Sequence, residues 1–213
     1  MKNTLIRDRY LTYDVIVVGG GMAGVCAAMA SARHGAKTAI IQDRPMFGGN
    51  ASSEIRMHVC GASENQKKPE LEEGGILHEL LLANKSRNDY FNFSIWDMTL
   101  YEAVRAQENL DFYLNTTMVG CEMDGSKITE IHCRQLTTEM NLHIKAEIFV
   151  DCTGIGTLAM YAGADYTTGS EGKAEFGEAD APDVANDNRM GNTLLLKAVD
   201  RGHPVRFTPP AFA

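Results

Sequence analysis

The chain has 213 residues, of which 44% are hydrophobic and 23% charged, and its formal net charge is −8 at pH 7. This is the composition of an ordinary globular protein, long enough for one sizeable domain or for one domain and a fraction. The acidic balance and the absence of a basic stretch argue against a nucleic-acid partner and an anionic membrane surface. No secretory signal is present in the first residues, so we expect a cytoplasmic protein.

The cysteines and histidines do not form a motif that holds a metal. The five cysteines are odd in number and none are spaced as C-x-x-C, which fits reduced thiols better than a disulfide framework or a zinc site. Their scatter also provides no local ligand set for an iron–sulfur cluster. No two histidines share a metal-ligand spacing, and the sequence therefore predicts no metal site.

The N-terminal part of the chain predicts a βαβ unit. Residues 14–18 are a short segment rich in Val and Ile after Asp14, and residues 37–41, which end in Ala39, Ile40 and Ile41, are interpreted as a second strand. Between them, residues 22–34 are rich in alanine and end before Gly35, which is typical of a helix. A strand, a helix and a strand in so short a stretch imply two parallel strands.

The next part of the chain predicts further helices. Residues 72–86 carry leucines at helical spacing, and a second helix is expected to begin with Asp97 as N-cap and to run to about residue 107. Before them, residues 55–59 are interpreted as a short strand and residues 64–70 as a polar surface loop.

From residue 111 the pattern changes to β-like segments separated by turn residues, with Asp124–Gly125 as a hairpin signal. These segments are residues 111–118, 119–123, 127–134 and 142–150. They predict an antiparallel β-meander over about 111–150. The fold class is therefore α/β, a parallel sheet with helices and an inserted antiparallel meander.

The remaining sequence starts a new element and then turns polar. DCTGIGTLAMYAGA, residues 151–164, again has the pattern of a strand, a glycine turn and a helix. Residues 165–188 predict a long loop and residues 192–201 a short helix. We expect a first domain over 1–164 and, over 165–213, the start of an incomplete second domain, whose partner is a missing C-terminal region of the same protein. The alternative is a compact domain with a disordered tail.

Gly19, Gly21 and Gly24 have the G-x-G-x-x-G spacing of a dinucleotide-binding turn. The first glycine permits a sharp turn, the second lets a pyrophosphate approach the backbone, and the third lets the helix pack on the strand. The helix N-terminus then offers free N–H groups to the phosphates. A glycine-rich turn without a ligand is the alternative.

The end of the second predicted strand usually carries an acid for the ribose hydroxyls, and Gln42 holds that place here. Gln42 can still accept a hydrogen bond from a hydroxyl through its carbonyl oxygen. A shift of one residue would let Asp43 serve instead. Arg44 could pair with a 2′-phosphate, which is the NADP-like option.

A second glycine-rich loop, RPMFGGNASSE, follows the second strand. A simple nicotinamide-binding domain would instead continue at this point with alternating helices and strands. The order of the two loops, the meander and DCTGIG resembles the glutathione-reductase-like flavoproteins. With DRPMFGGNASSEIRM, AGADYTTGSEGKAEFGE and MGNTLLLKAVDRGHPV, residues 12–210 are similar to the FAD-dependent oxidoreductase family that includes relatives of heterodisulfide reductase.

This resemblance implies a Rossmann-like FAD-binding domain with FAD as the cofactor. It places the pyrophosphate at the first glycine turn, the adenosine ribose at Gln42 or Asp43, and adenine beside Arg44 and the backbone of Val119. It places the ribityl chain at the second glycine loop, with Thr153 and Gly154 closing over the cofactor. The expected cofactor residues are Gly19, Gly20, Gly21, Met22, Ala23, Gly24, Gln42, Asp43, Arg44, Gly48, Gly49, Asn50, Ala51, Ser52, Val119, Thr153 and Gly154.

The function that follows is a flavoprotein oxidoreductase that moves a hydride or electron pair between FAD and a small organic substrate. A carbohydrate-derived substrate is suggested by the resemblance alone. Arg56, His58 and Cys60 follow the second glycine loop and are candidates to stabilise reduced flavin, to act as a base and to act as a redox thiol. An NAD(P)-dependent dehydrogenase and a catalytically silent nucleotide-binding fragment are the alternatives.

Overall fold

The computed structural model of the chain describes residues 6–60, 73–191 and 198–212. These residues divide into two units, the first ending at Thr167 and the second beginning at Thr168. The division lies close to the boundary expected from the sequence. The assignment of a cofactor-binding domain and an incomplete second domain stays a prediction.

The first unit contains the strands and most of the helices that the described residues form. The strands are β1 (Arg7–Val18), β2 (Thr38–Ile41), β3 (Leu110–Tyr113), β4 (Thr116–Asp124), β5 (Lys127–Gln135) and β6 (Met140–Asp151). The helices are α1 (Met22–Arg33), α2 (Gly75–Lys85), α3 (Phe93–Ala106) and α4 (Thr157–Tyr161). In the second unit, the described residues contain one short helix, α5 (Lys173–Phe176).

These strands belong to one sheet, in the order β3-β2-β1-β6-β5-β4. Strand β1 pairs in parallel with β2 and β6, and β2 pairs in parallel with β3. Strands β4, β5 and β6 are antiparallel neighbours. The predicted α/β fold, a parallel sheet with an inserted meander, is thereby confirmed, and β6 is the strand that belongs to both parts.

Strand β1 is longer than predicted, because it begins at Arg7 rather than at Asp14. Its first half is mostly exposed and lacks the continuous apolar run that marks a buried strand. The partner that orders it is the meander end of β6, where Arg7 lies opposite Met140 and Tyr13 opposite Ala146. Because β1 and β6 are far apart in the sequence, no local pattern in either segment predicts this pairing.

Three further elements differ from the prediction. The helix expected to begin at Asp97 begins at Phe93, because the side chain of Asn92 caps it by accepting a hydrogen bond from the Ser94 N–H at 2.8 Å. Residues 55–59 form no strand. The segment predicted to open the meander is split, since β3 pairs in parallel with β2 and the meander begins at β4.

Two of the predicted segments fall on parts of the chain that are only partly described. The polar loop expected over 64–70 lies outside the described residues, as does the 192–197 part of the last predicted helix. The described remainder of that helix, residues 198–201, is not helical. Residues 165–188 form a loop, as predicted, apart from α5 and an isolated bridge between Ser170 and Asn186.

Hydrophobic clusters cover both faces of the sheet, because successive residues of a strand point to opposite sides. Val17 and Ile40 belong to a cluster with residues of α1, α2 and α3, such as Val25 and Leu100. Ile16 belongs to the other cluster, which joins the meander strands to α4. The end of β1 is therefore buried on both sides, directly before the first glycine turn.

In the part of the chain that the structure describes, no helix has the length and apolar character needed to cross a membrane.

Candidate functional site

The turn after β1 brings three stretches of backbone into contact. A Cβ atom added to Gly24 would lie 1.8 Å from the carbonyl oxygen of Gly19, and one added to Gly19 would lie 2.2 Å from the carbonyl oxygen of Cys152. Gly19 also has a φ of 103°, which other residues rarely adopt. Only glycine at these two positions lets α1 and the end of β6 approach β1 this closely.

Gly21 differs from its two neighbours in the motif. Its φ is −65° and no atom of the described residues lies within 4 Å of an added Cβ, so neither backbone strain nor a contact with that part of the chain requires glycine there. The space beside it is open. This is the arrangement expected where a ligand, rather than the protein itself, approaches the backbone.

The first N–H groups of α1 are available to a ligand. The first intrahelical bond runs from the Val25 N–H to the Gly21 carbonyl at 2.9 Å. Among the described residues, the N–H groups of Gly21 and Ala23 donate no hydrogen bond, and that of Met22 faces the Gly48 carbonyl across a parallel bridge. These orphan donors stand at the positive end of a 12-residue helix, a position that favours an anion.

Gln42 joins the first glycine turn to the loop after β2. Its Oε1 accepts a hydrogen bond from the Gly20 N–H at 2.8 Å, and its Nε2 donates to the Met46 carbonyl at 3.2 Å. The residue is buried, with 5% of its surface exposed. A carboxylate could accept the first bond but could not donate the second, so the position calls for an amide rather than an acid.

The second glycine loop is bonded directly to the first turn. The Gly48 N–H donates to the Gly20 carbonyl at 2.8 Å, and a Cβ on Gly49 would lie 3.2 Å from the Cα of Gly21. The buried hydroxyl of Ser52 donates back to the Gly49 carbonyl at 2.7 Å. The backbones of the two loops therefore form one continuous surface.

Asp97 holds the far end of this second loop. Its Oδ1 accepts a hydrogen bond from the Ser53 N–H at 2.9 Å, which explains an acid inside α3 that the sequence suggested was a cap. The side chain thus ties the loop to the helix layer.

The turn after β6 is organised by Asp151. Its carboxylate accepts hydrogen bonds from the N–H and hydroxyl of Thr153, at 2.9 and 2.7 Å, and from the Ala159 N–H at 3.0 Å. Partial burial acts to raise the pKa of this carboxyl, but the bonds from Thr153, Ala159 and Leu158 together lower it below its ordinary value. The Thr153 hydroxyl also accepts from the Thr157 N–H at 2.8 Å.

These three turns surround a cavity of about 620 Å³, within the range typical of small-molecule and cofactor sites. Most of the residues expected at the cofactor line it. They are Gly19, Gly21, Met22, Ala23, Gln42, Asp43, Arg44, Gly48, Gly49, Asn50, Ala51, Thr153 and Gly154.

Four of the expected residues do not line the cavity. Gly20, Gly24 and Ser52 lie in the backbone framework behind it, where they make the contacts described above. Val119 is 51% exposed and lies at a register shift between Met118 and Gly120, so it has no partner in the ladder of β4 and β5. Its two predecessors, Thr117 and Met118, do line the cavity.

Sequence reasoning missed part of the lining. Further residues are Val18, Ile41, Glu54, Ile55, Met57, Val59, Thr116, Thr117, Met118, Cys152, Ile155 and Thr157. Among the three candidates near the second loop, His58 lines the cavity, whereas Arg56 and Cys60 do not. The start of β4 lies at the cavity because it contacts β2. Local sequence patterns do not reveal this contact, so these lining residues could not be predicted.

Cys152, beside the cavity, lies in an environment that disfavours the thiolate form. Burial, and then the neighbouring Asp151 charge, raise the pKa of the Cys152 thiol above its ordinary value. A thiol that stays neutral is a poor nucleophile and a poor redox group. All five cysteines are free, and burial raises the pKa of Cys133 to about 12.

A model of the FAD dependent oxidoreductase family matches residues 14–208, so the chain belongs to this family. The FAD cofactor and the flavin-dependent oxidoreductase class expected from the sequence are thereby confirmed at the level of the family.

Solved structures of similar fold are longer than this chain. L-Proline dehydrogenase from P. horikoshii is 19% identical, with 70% of this chain and 23% of that chain covered and a TM-score of 0.41. A geranylgeranyl bacteriochlorophyll reductase-like protein from Thermoplasma acidophilum is 18% identical, with 74% and 43% covered and a TM-score of 0.49. p-Nitrophenol 4-monooxygenase from Pseudomonas putida is 12% identical, with 76% and 46% covered and a TM-score of 0.48. The chain spans less than half the length of each.

The two hydrogen bonds of Gln42 predict a pH-dependent effect of Gln42→Glu. An ionised glutamate faces the Met46 carbonyl without a proton to donate, whereas a protonated one can restore the bond. Burial raises the pKa of such a carboxyl, so stability present at low pH is lost as the pH rises through the folded-state pKa. Relative to the parent, we expect a loss of about 2 kcal/mol at about pH 8 and a smaller loss at about pH 5 by urea unfolding. Gln42→Met removes both bonds without adding a charge. Its free energy of unfolding should therefore fall by the same amount at both pH values. An equal loss for Gln42→Glu would contradict this assignment.

The hydrogen bonds of Asp151 predict that Asp151→Asn weakens the turn after β6. Because the folded-state pKa is lowered, the carboxylate stabilises the fold above the unfolded-state pKa of about 3.9, and this contribution disappears as the pH falls through the folded-state value. We expect a loss of about 1–3 kcal/mol at about pH 7 and a much smaller one at about pH 3, measured by urea unfolding. Asp165→Asn, at an exposed position, is the control. A difference that does not shrink in acid would argue against the carboxylate's role.

Proposed function

We propose that the chain binds FAD in the cavity between the three turns and forms the FAD-binding part of an oxidoreductase acting on a small organic substrate. The observation that carries the proposal is Gly21, whose missing side chain leaves open space beside N–H groups that have no partner among the described residues. The substrate class expected from the sequence resemblance stays a prediction.

The pyrophosphate of FAD is the group that fits the first turn. Two phosphates carry negative charge and accept hydrogen bonds, and the turn offers the N–H groups of Gly21 and Ala23 at the positive end of α1. The close approach of Gly49 to Gly21 extends this backbone surface along the second loop. An extended dinucleotide would follow it without meeting a side chain at either glycine.

Asp43 is the better of the two candidates for the adenosine ribose. The other candidate is Gln42, and both polar atoms of its amide already bond to the backbone. Asp43 lines the cavity, and its side chain is largely exposed. A carboxylate there can accept hydrogen bonds from ribose hydroxyls, and these charge-assisted bonds are stronger than those to a neutral amide.

The charges around Arg44 favour FAD over NADP. The Arg44 guanidinium lies 3.7 Å from the Asp43 carboxylate and 3.6 Å from that of Glu54. A 2′-phosphate placed beside Arg44 would therefore also meet two negative charges, at a cost in free energy. The adenosine ribose of FAD carries free hydroxyls and meets no such repulsion.

The flavin ring, when bound, supplies the chemistry of hydride or electron-pair transfer, and the protein supplies binding, orientation and proton handling. His58 is the imidazole on the cavity lining, and we propose it as the group that accepts a proton from a substrate hydroxyl. Its Nε2 lies 3.6 Å from the Cys60 thiol.

We also propose that a further region of the same protein covers the rim of the cavity. Three large apolar side chains line the cavity yet remain exposed, Ile155 at 80%, Ile55 at 44% and Met57 at 43%. Burial of such side chains is favourable, and a covering segment would also keep water from the flavin.

The Gly21→Val variant tests the proposal directly. We expect it to fold as the parent does, because a Cβ added at Gly21 has no atom of the described residues within 4 Å and the backbone is not strained. It should lose at least about 100-fold in FAD affinity, because the side chain occupies the space of the pyrophosphate. The measurement is visible absorbance of the purified chain, flavin release on denaturation and FAD titration of the apoprotein.

Gly74→Val is the matched control, since Gly74 has an ordinary φ of −100°, no atom of the described residues lies within 4 Å of a Cβ added there, and it does not line the cavity. A Gly21→Val chain that keeps FAD would overturn the assignment. A colourless parent that binds a nicotinamide nucleotide instead would support the dehydrogenase alternative, and a parent that binds neither would support the silent fragment.

A further inference from the structure

The β-meander carries two histidines and a glutamate that the proposed function does not use. His132 on β5 lies directly opposite His143 on β6, and Glu130 lies two residues before His132. Alternate residues of a strand share a face, so all three side chains lie on the same side of the sheet. The sequence interval between the histidines does not resemble a ligand motif, and only the strand pairing brings them together.

The ligand atoms of this cluster are spaced as around a metal ion. Oε1 of Glu130 lies 3.0 Å from Nδ1 of His143 and 3.2 Å from Nε2 of His132, and all three atoms lie within 4.8 Å of one another. Ligands at 2.0–2.1 Å from a tetrahedral zinc ion are about 3.3 Å apart. Small side-chain movements would therefore complete the coordination.

The protein alone leaves one of these atoms unsatisfied. Nε2 of His132 is buried and has no hydrogen-bond partner among the described residues, although carboxylate oxygens of Glu130 and Glu122 lie 3.2 and 3.3 Å away. Glu130, which shares the site, is itself buried, with 7% of its surface exposed. A buried polar atom without a partner costs free energy, and a cation would remove that cost.

The surroundings of His143 also match those of a metal ligand. Its second ring nitrogen, Nε2, faces the carboxylate of Asp8 at 3.6 Å, and Asp8 is held by the side-chain amide of Asn141 at 2.9 Å. The ring of Tyr10 stacks on the imidazole with 4.8 Å between centroids. A carboxylate behind a histidine fixes the ring and directs the other nitrogen toward the metal.

Two charged side chains, one acidic and one basic, lie at the edge of the cluster. Oε1 of Glu122 lies 3.3 Å from the same His132 nitrogen and adds negative charge beside the site. Nζ of Lys145 lies 3.7 Å from Oε2 of Glu130, which leaves Oε1 of that carboxylate to face the histidines.

We propose that Glu130, His132 and His143 bind a divalent transition-metal ion, with Zn²⁺ as the ion that two imidazoles and one carboxylate fit best. Water fills the fourth position. The ion bridges β5 and β6 and stabilises the meander, since binding to the folded chain alone favours folding.

A Co²⁺ titration of the metal-stripped chain, followed by its visible d–d absorption, tests the proposal, with Zn²⁺ competition and thermal unfolding in the presence of Zn²⁺. We expect one Co²⁺ per chain, displaced by Zn²⁺, and a higher melting temperature with Zn²⁺. His132→Ala and His143→Ala should each weaken binding by at least about 100-fold, and Asp8→Asn by about 10-fold, as outer partners of metal ligands do.

His34→Gln, which changes an exposed histidine on another element, should bind Co²⁺ as the parent does. His132→Gln and His143→Gln replace the alanine variants if circular dichroism shows that those do not fold. A parent that binds no Co²⁺ or Zn²⁺, or binding that the folded His132 and His143 variants retain, would overturn the proposal. The flavin content should not change in any of these variants, so this result is independent of the FAD assignment.

Discussion

The close approach of backbone to backbone at the end of β1 is the constraint on which the candidate site depends. Gly19 contacts the chain at Cys152, and Gly24 contacts Gly19, at distances that leave no room for a Cβ atom. These contacts place the N-terminus of α1 beside the turns after β2 and β6. Because the motif glycines on either side are held by the protein, Gly21 can remain open and its N–H group can be kept for a ligand.

Gln42 shows how a departure from a familiar pattern can have a structural cause. The usual acid at this position would accept hydrogen bonds from the ligand. The Gln42 side chain instead bonds to the protein backbone, at the Gly20 N–H and the Met46 carbonyl. In the proposed complex, the role in ligand binding then passes to the next residue, Asp43. The Gln42 amide and the bond from Gly48 to Gly20 together hold the two glycine loops at a fixed separation.

The sequence predicted the elements that carry a local signal. The βαβ unit follows from two apolar runs and an alanine-rich helix, and the meander follows from its turn at Asp124–Gly125. What it could not predict depends on contacts between distant segments. The parallel pairing of β3 with β2 and the extension of β1 to Arg7 are of this kind. For the candidate site, the glycine turns were recognised from spacing, but the structural role of Asp97 requires its contact with Ser53.

The same distinction explains why the sequence predicted no metal site while the structure supports a proposed one. Spacing rules detect ligands on one helix or turn, whereas His132 and His143 meet across two strands. The part of β6 from His143 to Asp151 spans eight residue steps, which extend about 26 Å. An ion at the cluster therefore lies far from the Asp151 turn. Its contribution would be to the order of the meander rather than to the chemistry of the cavity.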